Sequence, residues 1–254
     1  MKRIMKLKSL KNKNYFCSFS PNYENKKSRN IKYVVIHYTG MKPLKRTLEK
    51  FNDPNSKVSC HWLISESGKV YKIVEEKNIA WHCGISKWKN LRGLNKYSIG
   101  IELDNPGHGK FYRNFSSLQM NSLVVLLKNI LKKYSIDNKN VLAHSDVAPD
   151  RKFDPGELFR WDLLAQKKLA YFPPILKKIK KKNIFFQYGD SHEAILKIKK
   201  LLNRIGYSCD LNKAYDLKFK VTIEAFQRRF LPKSVNGIID DNLYQRIIQV
   251  NENS

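Results

Sequence analysis

The sequence predicts an α/β fold that ends in a small three-helix unit. Three observations carry this. Short β-branched and apolar runs recur through residues 31–146, each closed by turn residues. Segment 116–134, between two of them, has its apolar residues at helical spacing. After residue 183 the strand pattern stops and amphipathic helical stretches take over. Runs of period two or of solid apolar character mark strands, and a 3.6 spacing marks helices.

Taken in order, residues 1–30 are polar and basic and read as an irregular extension. IKYVVIH (31–37) is a β-branched run ending at a histidine, which reads as a buried strand broken by Thr39-Gly40. A helix is expected over 43–52. CHWLIS (60–65) and KVYKIVE (69–75) flank Ser67-Gly68 and read as a hairpin. SIGIELD (98–104) is a further strand with Gly100 in its middle, stopped by Asn105-Pro106-Gly107. Leu118, Leu123, Val124, Leu127, Ile130 and Leu131 form one helical stripe, with Ser116 or Ser117 as its cap. NVLAHSD (140–146) is a short strand reaching a second histidine, followed by the loop APDRKFDPG and a helix over 158–170. YFPPILKKIKKKN (171–183) changes composition abruptly and reads as a linker. Helices are then expected over 191–205, 219–230 and 240–249. The predicted layout is an extension (1–30), a main domain (31–170), a linker (171–183) and a helical domain (184–254).

Composition narrows the functional classes. Hydrophobic residues are 42% of the 254, enough to build a core, so a disordered chain is excluded. Lys and Arg total 49 against 22 acidic residues, a formal charge of +27 that draws the chain toward polyanions. Lys far outnumbers Arg, and Asn and Ile are plentiful, as AT-rich coding also produces. No Arg-rich arm or zinc finger accompanies the charge, so a specific nucleic-acid partner is not expected. Cys17, Cys60, Cys83 and Cys209 form no CxxC pair and suggest no disulfide framework. The N-terminal stretch lacks the apolar run of about seven residues that a cleavable signal needs. A cytoplasmic location is therefore expected, with the cell envelope as the other option. No stretch approaches the roughly 20 apolar residues of a membrane span.

The chemistry-bearing residues cluster at strand ends. A catalytic zinc takes three protein ligands, two His and one carboxylate being a suitable set, and keeps a position open for water. His37 and His144 each end an apolar strand, and Asp154 follows His144 by ten residues on a loop able to fold back. Ser98, Gly100 and Glu102 share one face of their strand, opposite Ile99, Ile101 and Leu103. Glu102 is either plain surface or, beside a metal and its water, a general base. Lys152, two residues before Asp154, is placed to stabilise an oxyanion; on spacing alone it is one more lysine in a lysine-rich chain.

VVIHYTG (34–40), AWHCG (80–84), SIGIELDN (98–105) and HSDVAPDRKFDPG (144–156) together resemble the type-2 N-acetylmuramoyl-L-alanine amidases, a family that also includes the peptidoglycan recognition proteins. The resemblance covers roughly residues 31–170. Within the family the likeness is closer to bacterial amidases that process anhydro-muropeptides or envelope peptidoglycan. It implies a mixed central β-sheet flanked by helices and one Zn2+ per chain, held by His37, His144 and Asp154. It implies Glu102 as the base, Lys152 as the oxyanion stabiliser, and Arg151, Trp81, His82 and His61 along the substrate groove. The implied substrate is peptidoglycan or its muropeptide fragments, and the implied reaction is hydrolysis of the lactyl–L-alanine amide. The alternative is a receptor that binds peptidoglycan without cutting it; such proteins typically lose a metal ligand, and all three are present here. The C-terminal segment resembles the three-helix peptidoglycan-binding domain through Gly-Tyr after helix one, Phe-Gln in helix two and Gly-Ile-Ile-Asp before helix three. It departs from that pattern at LNKAYDLKFK, where the usual aspartate-glycine-acidic stretch is replaced.

Overall fold

A computed structural model describes residues 5–6, 15–174 and 183–253. Its centre is a seven-stranded mixed sheet. The strands are β1 (Met5–Lys6), β2 (Tyr15–Cys17), β3 (Tyr33–Tyr38), β4 (Trp62–Ile64), β5 (Val70–Lys72), β6 (Ser98–Leu103) and β7 (Val141–Ala143). They lie in the order β1-β2-β5-β4-β6-β3-β7. The pairs β4/β6, β6/β3, β3/β7 and β2/β5 are parallel, whereas β4/β5 and β1/β2 are antiparallel. The predicted mixed sheet flanked by helices is what forms.

The helices are α1 (Leu44–Asn52), α2 (Ser117–Tyr134), α3 (His144–Val147), α4 (Trp161–Gln166), α5 (Glu193–Ile205), α6 (Leu217–Phe230) and α7 (Asp241–Glu252). Ser116 caps α2 by accepting from the Gln119 N–H, and Asp216 and Asp240 cap α6 and α7 in the same way. Each cap satisfies a first-turn N–H that has no partner inside its helix.

Strand alternation decides what each face of the sheet meets. Val34, Ile36, Ile99, Ile101 and Leu103 pack on one face against Leu123, Leu127 and Ile130 of α2. Tyr33, Val35 and Leu142 point the other way and share a core with Ile198, Phe226, Ile247 and their neighbours in the C-terminal helices. Leu63 and Tyr71, nearer the far edge of the sheet, pack with Phe51 of α1. The C-terminal helices therefore cover the sheet directly. Tyr171, at the start of the predicted linker, packs against the core they share with the sheet; residues 175–182 of that linker lie outside the described residues.

Two expectations are corrected. The first 30 residues are not irregular throughout: β2 pairs with β5, and Tyr23–Glu24 pairs with Ile79–Ala80. Arg29 is drawn inward, donating to the carbonyls of Glu76 and Asn95 at 2.8 Å, Ser98 at 2.7 Å, and Asn78. The two strand pairings use backbone groups, so no side-chain period betrays them. The helix expected over 158–170 shrinks to α4, and its C-terminal end falls just before the chain turns left-handed at Lys168, φ 58°.

Candidate active site

His37 and Glu102 are register partners on adjacent parallel strands. Both belong to the face shared by Tyr33, Val35, Ser98 and Gly100, at the carboxyl ends of β3 and β6. That end of an open parallel sheet is where such folds place ligands. His144 opens α3 directly after β7, and the loop beyond folds back so that the Asp154 carbonyl accepts from the Ser145 N–H at 3.0 Å.

Three donor atoms converge there. His37 Nδ1 lies 2.9 Å from His144 Nδ1 and 3.0 Å from Asp154 Oδ2, and His144 Nδ1 lies 2.9 Å from the same oxygen. All three side chains are buried.

The surrounding hydrogen bonds fix which imidazole nitrogens carry protons. The Leu94 carbonyl can only accept, so the Ser98 hydroxyl donates to it at 2.6 Å. The Ser98 oxygen then accepts from His82 Nε2 at 3.3 Å, which leaves His82 Nδ1 as an acceptor for His37 Nε2–H at 3.0 Å. His37 Nδ1 is consequently bare. On the other side the Cys83 carbonyl takes the Nε2–H of His144 at 3.1 Å, and His144 Nδ1 is bare as well. Ligating histidines are commonly oriented by such partners on the ring's other nitrogen.

Two bare nitrogens and a carboxylate oxygen within 3.0 Å repel one another unless a cation lies among them. Tetrahedral zinc with bonds of about 2.0 Å spaces its ligands roughly 3.3 Å apart, so a small outward shift seats it. The residues fit a metal ion. Burial, then the neighbouring His144, depress the His37 pKa to about 4, which keeps the ring neutral and able to ligate. A second group, His37, His82 and Cys83, also brings its donor atoms within 4.8 Å, but there the His37 Nε2–H is already donated to His82 Nδ1.

The donors open into a cavity of about 230 Å³ that Glu102, Lys152, Trp81 and His82 also line. Lys50 and Phe51 of α1 form part of its wall. Oε2 of Glu102 is buried without a hydrogen-bond partner among the described residues. Burial, then the charge of Asp154, raise the Glu102 pKa to about 8, with Lys152 opposing. Such a carboxyl is poised to exchange a proton near neutrality.

The other expected groove residues divide. His61 is a correction: it is fully buried, its Nδ1 accepts from the Gly100 N–H at 2.9 Å, and its Nε2 contacts the Asn78 carbonyl at 3.1 Å. It braces β6 and is not among the residues lining the cavity beside Glu102 and the three donors. Arg151 is exposed and is not among the residues lining the cavity; its guanidinium donates to the carbonyls of Cys83 and Ile85 and so holds the loop that orients His144. Sequence reasoning missed Ser98 and the Cys83 carbonyl. A serine on the polar face of the Glu102 strand was a usable signal for the first; a main-chain acceptor leaves none.

The sequence profile of the N-acetylmuramoyl-L-alanine amidase family (Amidase_2) matches residues 27–157. The chain is 35% identical to the N-acetylmuramoyl-L-alanine amidase AmiD of Escherichia coli over 83% of this chain and 78% of that protein. It is 30% identical to the 1,6-anhydro-N-acetylmuramyl-L-alanine amidase AmpD of Haemophilus influenzae over 56% of this chain and 86% of that protein. The solved structure of Escherichia coli AmiD with its substrate anhydro-N-acetylmuramic acid-L-Ala-D-gamma-Glu-L-Lys superposes with a TM-score of 0.76 at 29% identity, covering 91% of this chain and 98% of that one.

Proposed function

The chain belongs to the N-acetylmuramoyl-L-alanine amidase family, and on that premise we propose that it releases the stem peptide from 1,6-anhydro-muropeptides at a zinc site formed by His37, His144 and Asp154. The observation that carries the metal assignment is the convergence of three donor atoms within 3.0 Å, with the other nitrogen of each histidine engaged by His82 or the Cys83 carbonyl. The anhydro sugar follows from the substrate in the AmiD complex and from the AmpD relatives. As a family member with all three donors in place, the protein is an enzyme and not a binding-only receptor.

A bound zinc ion supplies Lewis acidity, lowering the pKa of a water molecule and polarising the scissile carbonyl. The protein's own groups do the rest. Glu102, with one oxygen free, takes the proton of the attacking water. It then returns that proton to the nitrogen of the departing L-alanine. Lys152 faces the same cavity and stabilises the negative charge that grows on the carbonyl oxygen. Trp81 offers an apolar wall to the substrate, and His82 holds His37 in its ligating tautomer.

Glu102→Gln tests the assignment. The variant is expected to bind zinc as the parent does and to lose about 10²-fold or more in kcat, the range of a general acid–base group. Undiminished kcat with zinc bound would remove Glu102 from the reaction.

A further inference from the structure

Helix α6 carries two consecutive buried arginines, and each reaches a different end of the ligand-bearing loop. Arg229 is 3% exposed, donating Nη1 to Asp146 Oδ2 at 2.5 Å and Nη2 to the Val141 carbonyl at 3.0 Å. Asp146 lies two residues beyond His144. The same Oδ2 accepts the Ala143 N–H at 2.8 Å, and Oδ1 accepts the Tyr207 hydroxyl at 2.6 Å. The carboxylate thus joins the start of α3 on one side to two C-terminal residues on the other. The Arg228 guanidinium lies 4.6 Å over the ring of Phe153, the residue between Lys152 and Asp154. A four-residue helix such as α3 has too few hydrogen bonds to fix its own position.

We infer that the C-terminal helices position the metal ligands. Arg229 and Tyr207 act through Asp146 to set where His144 Nδ1 sits, and Arg228 acts through Phe153 on the Lys152–Asp154 segment. This rests on the metal reading above. On this account the C-terminal unit is part of the catalytic scaffold, whatever else it binds. Arg229 and Tyr207 are positioning residues, since neither lines the cavity.

The test uses the full chain with Tyr207→Phe, Arg229→Met and Arg229→Lys, and Leu243→Ala as a control that loosens α7 without touching Asp146. Zinc affinity is read by competition with a chromogenic chelator, and stability by thermal unfolding of the metal-free protein. Tyr207→Phe and Arg229→Met are expected to weaken zinc binding about 10-fold or more, as removal of ligand-orienting groups does. Arg229→Lys is expected to recover part of that loss. Leu243→Ala is expected to lower the unfolding temperature and leave zinc affinity within about twofold of the parent, as a change that spares the groups orienting the ligands should. Tyr207→Phe removes a single hydroxyl and decides the matter even if Arg229→Met fails to fold. Zinc affinity unchanged in Tyr207→Phe, or equally weakened in Leu243→Ala, would overturn the inference. A parent protein that binds no zinc would overturn the metal reading and this inference with it.

Discussion

Glu102 is half-buried on the strand next to His37, with its Oε2 shielded from solvent and unpaired among the described residues, an arrangement that costs stability and is held by the surrounding fold. In the metal-free protein its carboxyl is lifted from the ordinary 4.5 to about 8 by burial and then by Asp154. The folded state therefore binds this proton more tightly than the unfolded chain. The associated stability is full below the ordinary value and is lost as pH rises through the folded value. Metal-free Glu102→Gln is accordingly predicted to unfold at a higher temperature than the parent near pH 9 and at a similar one near pH 4. Calorimetry across that range checks it, and equal unfolding temperatures near pH 9 would count against a shielded, unpaired carboxyl oxygen at Glu102. Gly100 has a comparable role in space: a Cβ there would overlap the imidazole of His82. Gly100→Ala is predicted to displace His82 from His37 and weaken zinc binding about 10-fold; unchanged affinity would show that the Leu94–Ser98–His82 chain has no hold on the ligand. The three residues whose donor atoms converge were legible, because two histidines ending apolar runs and an aspartate ten residues on make a recognisable donor set. The chain that orients them was not, since it runs through a backbone carbonyl and through His82, which motif likeness alone had placed in the groove.

At the scale of elements, what the periodicity marked formed and what it did not mark was missed. β3, β6, α2 and the three C-terminal helices fall where the apolar spacing put them. β2 and the Tyr23–Glu24 strand were invisible, because short segments bonded through their main chain need no alternating side chains. Glu76 shows how distant elements are tied. It accepts from Trp62 Nε1 at 2.9 Å, Lys133 Nζ at 2.5 Å and the Tyr134 hydroxyl at 2.8 Å, joining β4 to the end of α2. Burial raises its pKa, and these donors outweigh burial and leave it below the ordinary glutamate value. Its contribution to stability is therefore present above the unfolded pKa and lost as pH falls through the depressed one. Glu76→Gln is predicted to destabilise the fold by about 1–3 kcal/mol at neutral pH, as loss of a buried charged acceptor does. Denaturant unfolding in acid should find that difference shrinking, and a constant difference down to about pH 3 would contradict the assignment.

At the scale of the whole molecule, sequence composition suggested a catalytic unit followed by a separate helical one, and the structure shows one core running through both. Tyr33, Val35, Leu142 and Val147 are covered by residues of α5, α6 and α7. A chain stopped at residue 174 would bare that face of the sheet, and exposed apolar patches of this kind drive aggregation. Such a truncation is predicted to be insoluble or to lose its cooperative unfolding transition, and a soluble, cooperatively folding fragment would argue for independent domains. No helix among the described residues is long and apolar enough to cross a membrane. The central claim is that one zinc, held by His37, His144 and Asp154, enables cleavage of the lactyl–L-alanine amide. Mass spectrometry of a defined anhydro-muropeptide after incubation with zinc-loaded protein, with chelated protein and with His37→Ala tests it most directly. The account predicts intact stem peptide and anhydro-N-acetylmuramic acid from the zinc-loaded protein, and uncleaved substrate from the other two. Equal release by the chelated protein, or no release with zinc confirmed bound, would contradict it.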